Sequence, residues 1–322
     1  MSLKDLKKAR AAITQKLIDS TEKGDSFTDD RIWTVTKGKD GIGSAKIRFL
    51  SVPKVDFEKD SENATAYVKL WNHGFKVKKT GKWYIENCPT TPINGVGKGN
   101  NCPVCEANRE LWNSGSEAKR SIASDRKRKL SYYSNILVLK DPGNPENEGK
   151  VFIFRYGQKI FDRLQSKLKP DYEDVASIDV FDFWEGANFN IRVKNIKDSK
   201  NNRTYPNYDD SDFDDASPLF GGDDKKIEEV WSKCHSLLDL VAADKFKDYD
   251  ALKAQLRGTL GAEAADFELF GGGEGVVAGL RSDDEDEVSN IKTAEDVKME
   301  SVDVDEDEAD EDDAMNYFES IA

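Results

Sequence analysis

Histidine and cysteine are scarce in this 322-residue sequence, at two and four residues. No run of 18 apolar residues occurs, which excludes a membrane-spanning helix. The first twenty residues hold no continuous apolar stretch, so no secretory signal is visible. Together these absences imply a reducing, cytosolic setting, where cysteines at short spacing favour a metal over a disulfide. There is no internal repeat. Positive charge also looks scarce, since the net charge is −14 and the pI about 4.8. Taken over the whole chain, that balance would argue against a nucleic-acid partner. The charge is unevenly placed, however. Residues 282–322 hold 18 acidic side chains against Lys292 and Lys298, which leaves residues 1–281 at +2. The acidity belongs to the C-terminal segment, and the rest is near neutral with local basic clusters.

What is present supports a sizeable core. The chain is 37% hydrophobic and 10% aromatic, enough for one large domain or two small ones. Residues 2–23 read as a basic amphipathic helix, with Leu3, Leu6, Ala9, Ile13 and Leu17 at helical spacing, positive charge from Lys4, Lys7, Lys8, Arg10 and Lys16, and an end at Gly24-Asp25. From about residue 30 to 200, short runs rich in β-branched and aromatic residues are bounded by Gly, Asn, Asp and Pro. They predict strands at 33–36, 46–52, 66–71, 82–85, 132–139, 151–156 and 188–196. Helices are expected at about 104–112, 158–168, 224–242 and 247–258. The expected class is mainly β with α insertions, a small barrel or sandwich. Gly271 to Val276 read as a hinge. The acidic segment beyond it lacks the apolar content to order itself, although Met315, Tyr317, Phe318 and Ile321 near its end are apolar.

Four residues carry metal chemistry. Cys102 and Cys105 flank two residues, Pro103 and Val104, so both thiolates of one tight turn can meet one tetrahedral ion. His73 and Cys88 would clamp a second segment onto it. Three Cys and one His form a common structural zinc set with no open position for water. The competing reading is a thioredoxin-type redox pair, but Thr90 to Asn101 form a Gly/Asn-rich stretch where such a pair needs a strand. Cys234 and His235, left over, read as a core and a surface residue.

Around these ligands aromatic and basic residues interleave. Trp112 is followed by Lys119, Arg120, Arg126, Lys127, Arg128 and Lys129, then by Tyr132 and Tyr133; Arg203, Tyr205 and Tyr208 come later. Single-stranded nucleic acid needs this combination: cations follow the phosphates, and rings stack on unpaired bases for about 1–3 kcal/mol each. Neighbouring tyrosines on a strand point to opposite faces, so one of Tyr132 and Tyr133 is expected in a groove and the other in the core. Asp209, Asp210, Asp212, Asp214 and Asp215 could in principle hold Mg²⁺ for a hydrolase. No Gly-rich phosphate-cradling motif accompanies them, and an acidic loop is the simpler reading.

Longer stretches are more specific. Trp71-Asn72-His73-Gly74-Phe75, Gly81-Lys82-Trp83-Tyr84-Ile85-Glu86, Cys102-Pro103-Val104-Cys105, Asn135-Ile136-Leu137-Val138, Lys140-Asp141-Pro142, the run from Pro145 to Phe152, Trp184-Glu185-Gly186-Ala187-Asn188-Phe189 and Asn207-Tyr208-Asp209 occur in order across residues 30–260. In these the sequence resembles the single-stranded DNA-binding, helix-destabilising proteins of T-even-type bacteriophages. The resemblance implies an OB-fold core at 24–262 with a zinc subdomain at about 71–130. It also implies a basic self-association segment at 1–23 and a disordered, acidic protein-interaction segment at 263–322. It implies one structural Zn²⁺ on His73, Cys88, Cys102 and Cys105, and a DNA-contact set that includes Trp112, Arg128, Tyr133, Tyr205 and Tyr208. Lys127, Lys129 and Tyr132 join that set from the basic run and its flank. The family's basic-plus-hydroxyl motif survives as Lys127-Arg128-Lys129-Leu130-Ser131 and is reduced to Lys7-Lys8-Ala9-Arg10 near the N-terminus. One family aromatic falls near Ala123. The implied activity is non-enzymatic, sequence-independent coating of single strands in phage replication, recombination and repair, in the cytoplasm of the infected host. Polymerase, helicase or helicase loader are the implied partners of the acidic segment. The alternative from the residues is a zinc-containing single-stranded RNA-binding translational regulator, since nothing in them excludes ribose.

Overall fold

Lys129 to Lys140 form the strand on which the rest is assembled. The computed structural model describes residues 29–92, 101–172, 174–197 and 204–261. The expected N-terminal helix, Arg203 and the 263–322 segment lie outside the described residues. Among the described residues nine strands form one sheet: β1 (Ile32–Trp33), β2 (Ile42–Phe49), β3 (Tyr67–Lys76), β4 (Trp83–Asn87), β5 (Lys129–Lys140), β6 (Val151–Tyr156), β7 (Ala187–Lys197), β8 (Thr204–Asn207) and β9 (Asp212–Ala216). The main path runs β1-β6-β5-β2-β7-β8, with β3 on β5, β4 on β3 and β9 on β7. The described helices are α1 (Lys54–Lys59), α2 (Pro103–Asn113), α3 (Glu117–Asp125), α4 (Gln158–Leu168), α5 (Asp224–Trp231) and α6 (Tyr249–Leu260). The fold is mainly β with helices, as expected.

β5 has three antiparallel partners. Its first half pairs with β3 (Lys69 opposite Tyr132, Asn72 opposite Lys129) and its second half with β2 (Phe49 opposite Ile136). Residues 132–137 pair with β6 along the other edge. Both faces of β5 are covered, so residues 131–138 are buried without alternation, Ser134 and Asn135 included. Tyr132, Ile136 and Val138 enter the main core with Ile47, Phe49, Phe154 and Phe189. Tyr133 faces the opposite way, onto Val68, Leu237 and Val241. Leu137 joins Leu50, Phe183, Ile227 and Val230. Helix α4 turns Ile160, Phe161 and Leu164 onto the main core, the stripe that a one-faced helix requires.

The helix expected over 224–242 is interrupted. It ends at Trp231, and a short 3-10 turn follows at Leu238–Val241. Distant side chains capture the backbone between them. Asn135 Oδ1 accepts from His235 N at 2.9 Å, and the buried Asp56 carboxylate accepts from Leu237 N at 2.7 Å and Leu238 N at 3.2 Å. These acceptors substitute for the carbonyls that a continued helix would offer. Helices α1 and α3 and strands β8 and β9 were not expected. The Asp212–Ala216 segment is therefore a strand rather than a loop.

Candidate metal centre and nucleic-acid interface

Two elements deliver the four metal-ligating candidates. The β3–β4 hairpin sets His73 opposite Glu86, and Cys88 follows the last residue of β4, its N–H donating to Trp71 O at 2.8 Å. Cys102 caps the N-terminus of α2, with Pro103 at the first helical position, where its fixed φ suits the turn. Cys105 lies in that first turn. The helix N-terminus carries partial positive charge, which favours thiolates.

The four ligand atoms lie within 4.8 Å of one another, and His73, Cys88 and Cys102 are buried. His73 Nε2 is 3.4 Å from both Cys102 Sγ and Cys105 Sγ, and Cys88 Sγ is 3.6 Å from Cys105 Sγ. A tetrahedral ion with Zn–S near 2.3 Å and Zn–N near 2.0 Å needs edges of about 3.8 Å between sulfurs and about 3.5 Å from sulfur to nitrogen, so the donor set fits such an ion. His73 Nδ1 lies 3.0 Å from Arg126 O, so it carries the proton and donates it, which leaves the Nε2 lone pair facing the sulfurs. The charge balance agrees. Hydrogen bonds with Cys102 and Cys105 hold the Cys88 thiol far below its ordinary range, while those with Cys102 and Cys88 push Cys105 far above it. Three sulfurs packed this closely cannot all ionise together unless a cation sits among them.

The centre is walled by Phe75, Val77, Tyr84 and Val104, and by Leu256 and Leu260 of α6. Sequence reasoning missed α6 as a wall. Tyr249 Oη donates to Glu106 at 2.7 Å, Thr80 Oγ1 to Thr259 O at 2.8 Å and Asn87 Nδ2 to Lys245 O at 3.1 Å, so residues 245–260 fold back across the hairpin and α2. The distance along the chain left no local signal for this. Cys234 is buried apart from the cluster, its thiol pushed up to about 12 by burial, and His235 Nε2 lies 3.4 Å from Val151 O.

Beside the centre, between α2 and α3, lies a pocket of about 650 Å³ whose lining includes Thr90, Cys105, Arg109, Trp112, Lys127 and Arg128. Trp112 is 54% exposed. The Arg128 guanidinium lies 4.5 Å above the Trp71 ring, and Nη1 donates to Thr90 Oγ1 at 2.5 Å. Trp112, Lys127 and Arg128 thus share one pocket with two of the metal ligands.

The other expected contact residues are placed differently. Tyr132 is 2% exposed, stacked on Phe161 at 3.9 Å, with Oη donating to Gln158 Oε1. Tyr133 is 7% exposed beneath Leu237 and Val241. One of the two was expected to face a groove, and that expectation is corrected: both are core, because the 219–241 segment covers the second face of β5. Lys129 is buried as well. Tyr205 on β8 and Tyr208 just after it are half-buried beside β7, Tyr208 packing on the main core, and neither lines the pocket. The nearby aspartates are engaged with cations. Lys46 Nζ lies 2.9 Å from Asp214, Lys194 Nζ 2.7 Å from Asp210 and Lys159 Nζ 3.8 Å from Asp209.

A four-ligand shell leaves no open position for a substrate at the metal. Fold and site therefore define a mainly β protein with a candidate structural metal centre beside a pocket lined by Trp112, Lys127 and Arg128. The chain belongs to the gp32 DNA binding protein like family, whose profile matches residues 41–259. It is 37% identical over 245 residues to a single-stranded DNA-binding protein of Enterobacteria phage T2, covering 75% of this chain and 74% of that protein. The match to a protein of the same description from Enterobacteria phage T4 is 37% over 243 residues, 74% of this chain and 73% of the relative. A third, from Enterobacteria phage RB70, is 38% identical over 112 residues, 34% of this chain and 81% of the relative. The family is one of non-enzymatic binding proteins. Among the described residues no helix is long and apolar enough to cross a membrane.

Proposed function

We propose that this chain binds single-stranded DNA without sequence preference and coats it during phage replication, recombination and repair in the infected host's cytoplasm. The observation that carries the reading is the exposed Trp112 ring in one pocket with Arg109, Lys127 and Arg128, in a chain whose relatives are named single-stranded DNA-binding proteins. The ring accepts any base face, and the guanidinium and ammonium groups neutralise phosphates, so affinity falls with salt by about 0.7 log units per contact and decade. Duplex is destabilised by linkage, because a ligand that favours the unpaired state shifts the equilibrium toward it. Tyr205 and Tyr208 extend the surface along β8. Lys129, Tyr132 and Tyr133 support it from beneath.

In this reading one Zn²⁺ on His73, Cys88, Cys102 and Cys105 supplies a structural clamp, and its own chemistry goes no further. The core is an OB fold spanning 24–262, with the metal subdomain at about 71–130. Residues 1–23 associate with a neighbouring copy along the strand. Residues 263–322 recruit a polymerase, helicase or helicase loader through Met315, Tyr317, Phe318 and Ile321. Its stretch 282–322, at −16, competes for the cationic surface from a tether at high effective concentration.

The test is titration of labelled DNA oligomers of increasing length at two salt concentrations, with equal-length RNA as competitor. Expected are tight, salt-sensitive binding to DNA and weaker competition by RNA. Equal or better binding of RNA would move the assignment to an RNA-binding regulator, and no binding to either would refute it.

A further inference from the structure

We propose that Thr90 is a positioning residue that couples the metal centre to the Arg128 guanidinium, an inference that rests on the DNA-binding reading above. Thr90 Oγ1 lies 3.0 Å from Cys88 Sγ and accepts from Arg128 Nη1 at 2.5 Å. A hydroxyl has one proton to give. Arg128 can only donate, so Thr90 accepts there, and its own proton is left for the sulfur. A metal-bound thiolate has no proton and can only accept. The chain of contacts therefore has one direction, guanidinium to hydroxyl to sulfur.

Arg128 has a second support, the Trp71 ring 4.5 Å below it. That ring is tied to the same turn: Trp71 N donates to Thr91 Oγ1 at 3.0 Å, and Thr91 Oγ1 in turn donates to Cys88 O at 2.8 Å. Two adjacent threonines thus divide the work. The buried Thr91 fixes the backbone of the turn, and the half-buried Thr90 fixes the arginine. Meanwhile His73 Nδ1 holds Arg126 O at 3.0 Å. The basic run is consequently held to the centre at two points, by backbone at Arg126 and by side chain at Arg128. A long side chain held in this way meets a phosphate without first losing its rotamer freedom.

The experiment uses the full chain at saturating zinc, with metal content checked by atomic spectroscopy and melting temperature recorded for each variant. Thr90→Val, Thr90→Ser, Arg128→Ala and the Thr90→Val/Arg128→Ala double variant are titrated with a thymidine oligomer at several salt concentrations. Thr90→Val is expected to weaken binding about 3- to 10-fold and lower the salt slope by up to about 0.7. Thr90→Ser, which keeps the hydroxyl, should restore both. The double variant should bind no more weakly than Arg128→Ala alone. Chelator competition should show zinc held roughly 10- to 100-fold less tightly by Thr90→Val, the usual loss when a partner of a metal ligand is removed. If Arg128→Ala weakens binding while Thr90→Val does not, or if the two losses simply add, the coupling is refuted and the DNA-binding reading stands. If Arg128→Ala changes neither affinity nor slope, the cationic pocket is not the DNA site and the coupling falls with it.

Discussion

Stripping the ion from His73, Cys88, Cys102 and Cys105 should lower the melting temperature by roughly 8–16 °C. At free metal about a thousandfold above Kd, mass action stabilises the folded state by about 4.1 kcal/mol. In a folded unit of 150–250 residues each kcal/mol moves the midpoint by about 2–4 °C, and the family profile spans residues 41–259. The loss should be local at first. The ligands share a cluster with Phe75, Tyr84, Val104, Leu256 and Leu260, whereas the main core around Phe49 and Phe189 contains none of them. Near-ultraviolet dichroism should therefore report loosening around Tyr84 before the sheet melts. Acidification should work the same way. In the metal-free centre burial lowers His73, but the hydrogen bonds and charges of Cys102 and Cys88 together raise it to about 9, so below that pH the ion must displace a proton from the imidazole as well as from thiols. Metal retention, and the stability tied to it, is complete at high pH and is lost as pH falls. The assay is thermal melting of loaded, chelated and reloaded protein, with metal content measured on each sample. A verified metal-free protein melting within 2 °C of the loaded form would refute the clamp.

Trp112→Ala should weaken single-strand binding by about 1–3 kcal/mol, the worth of one stacked base, with the melting temperature almost unmoved because the ring is 54% exposed; equilibrium titration and a thermal melt separate the two. Tyr132→Ala should do the reverse, costing about 3–5 kcal/mol of stability through the cavity left against Phe161, measured by urea unfolding; a folded, stable variant with a selective DNA defect would return Tyr132 to the contact surface. Deleting residues 282–322 should raise DNA affinity and flatten its salt dependence at low salt, measured by fluorescence titration, and unchanged affinity would show that the acidic segment does not compete for the cationic surface.

What could be seen in the sequence was what is local. The two-residue gap between Cys102 and Cys105 is a property of one helical turn, so the centre was legible, and the longer jumps to His73 and Cys88 follow once two strands form a hairpin. Helix α4 was legible to its ends because its stripe and its Gly157 boundary are local too. The misses have a common cause. Asp56 and Asn135 end the helix at Trp231 from about 180 and 100 residues away, and nothing between 224 and 242 announces them. Period-two alternation says that Tyr132 and Tyr133 point apart, but not that both faces of β5 are covered. Leu237 and Val241, which cover the second face, lie a hundred residues downstream.

The same distinction bears on the cationic surface. With a net +2 over residues 1–281, charge alone gives little attraction for phosphate. Several cations are already committed: Lys46, Lys159 and Lys194 lie against Asp214, Asp209 and Asp210. What singles out Lys127 and Arg128 is therefore placement. Arg128 is braced by Trp71 and Thr90, and the backbone two residues earlier is held by His73. A basic run in a free loop would have to order itself each time a strand bound. On the proposed reading, the hairpin that carries His73 has already imposed that order, and a near-neutral body presents a cationic edge where Trp112 supplies the ring. On this argument, moving the same charges elsewhere on the surface would not restore binding to a chain whose metal centre is lost.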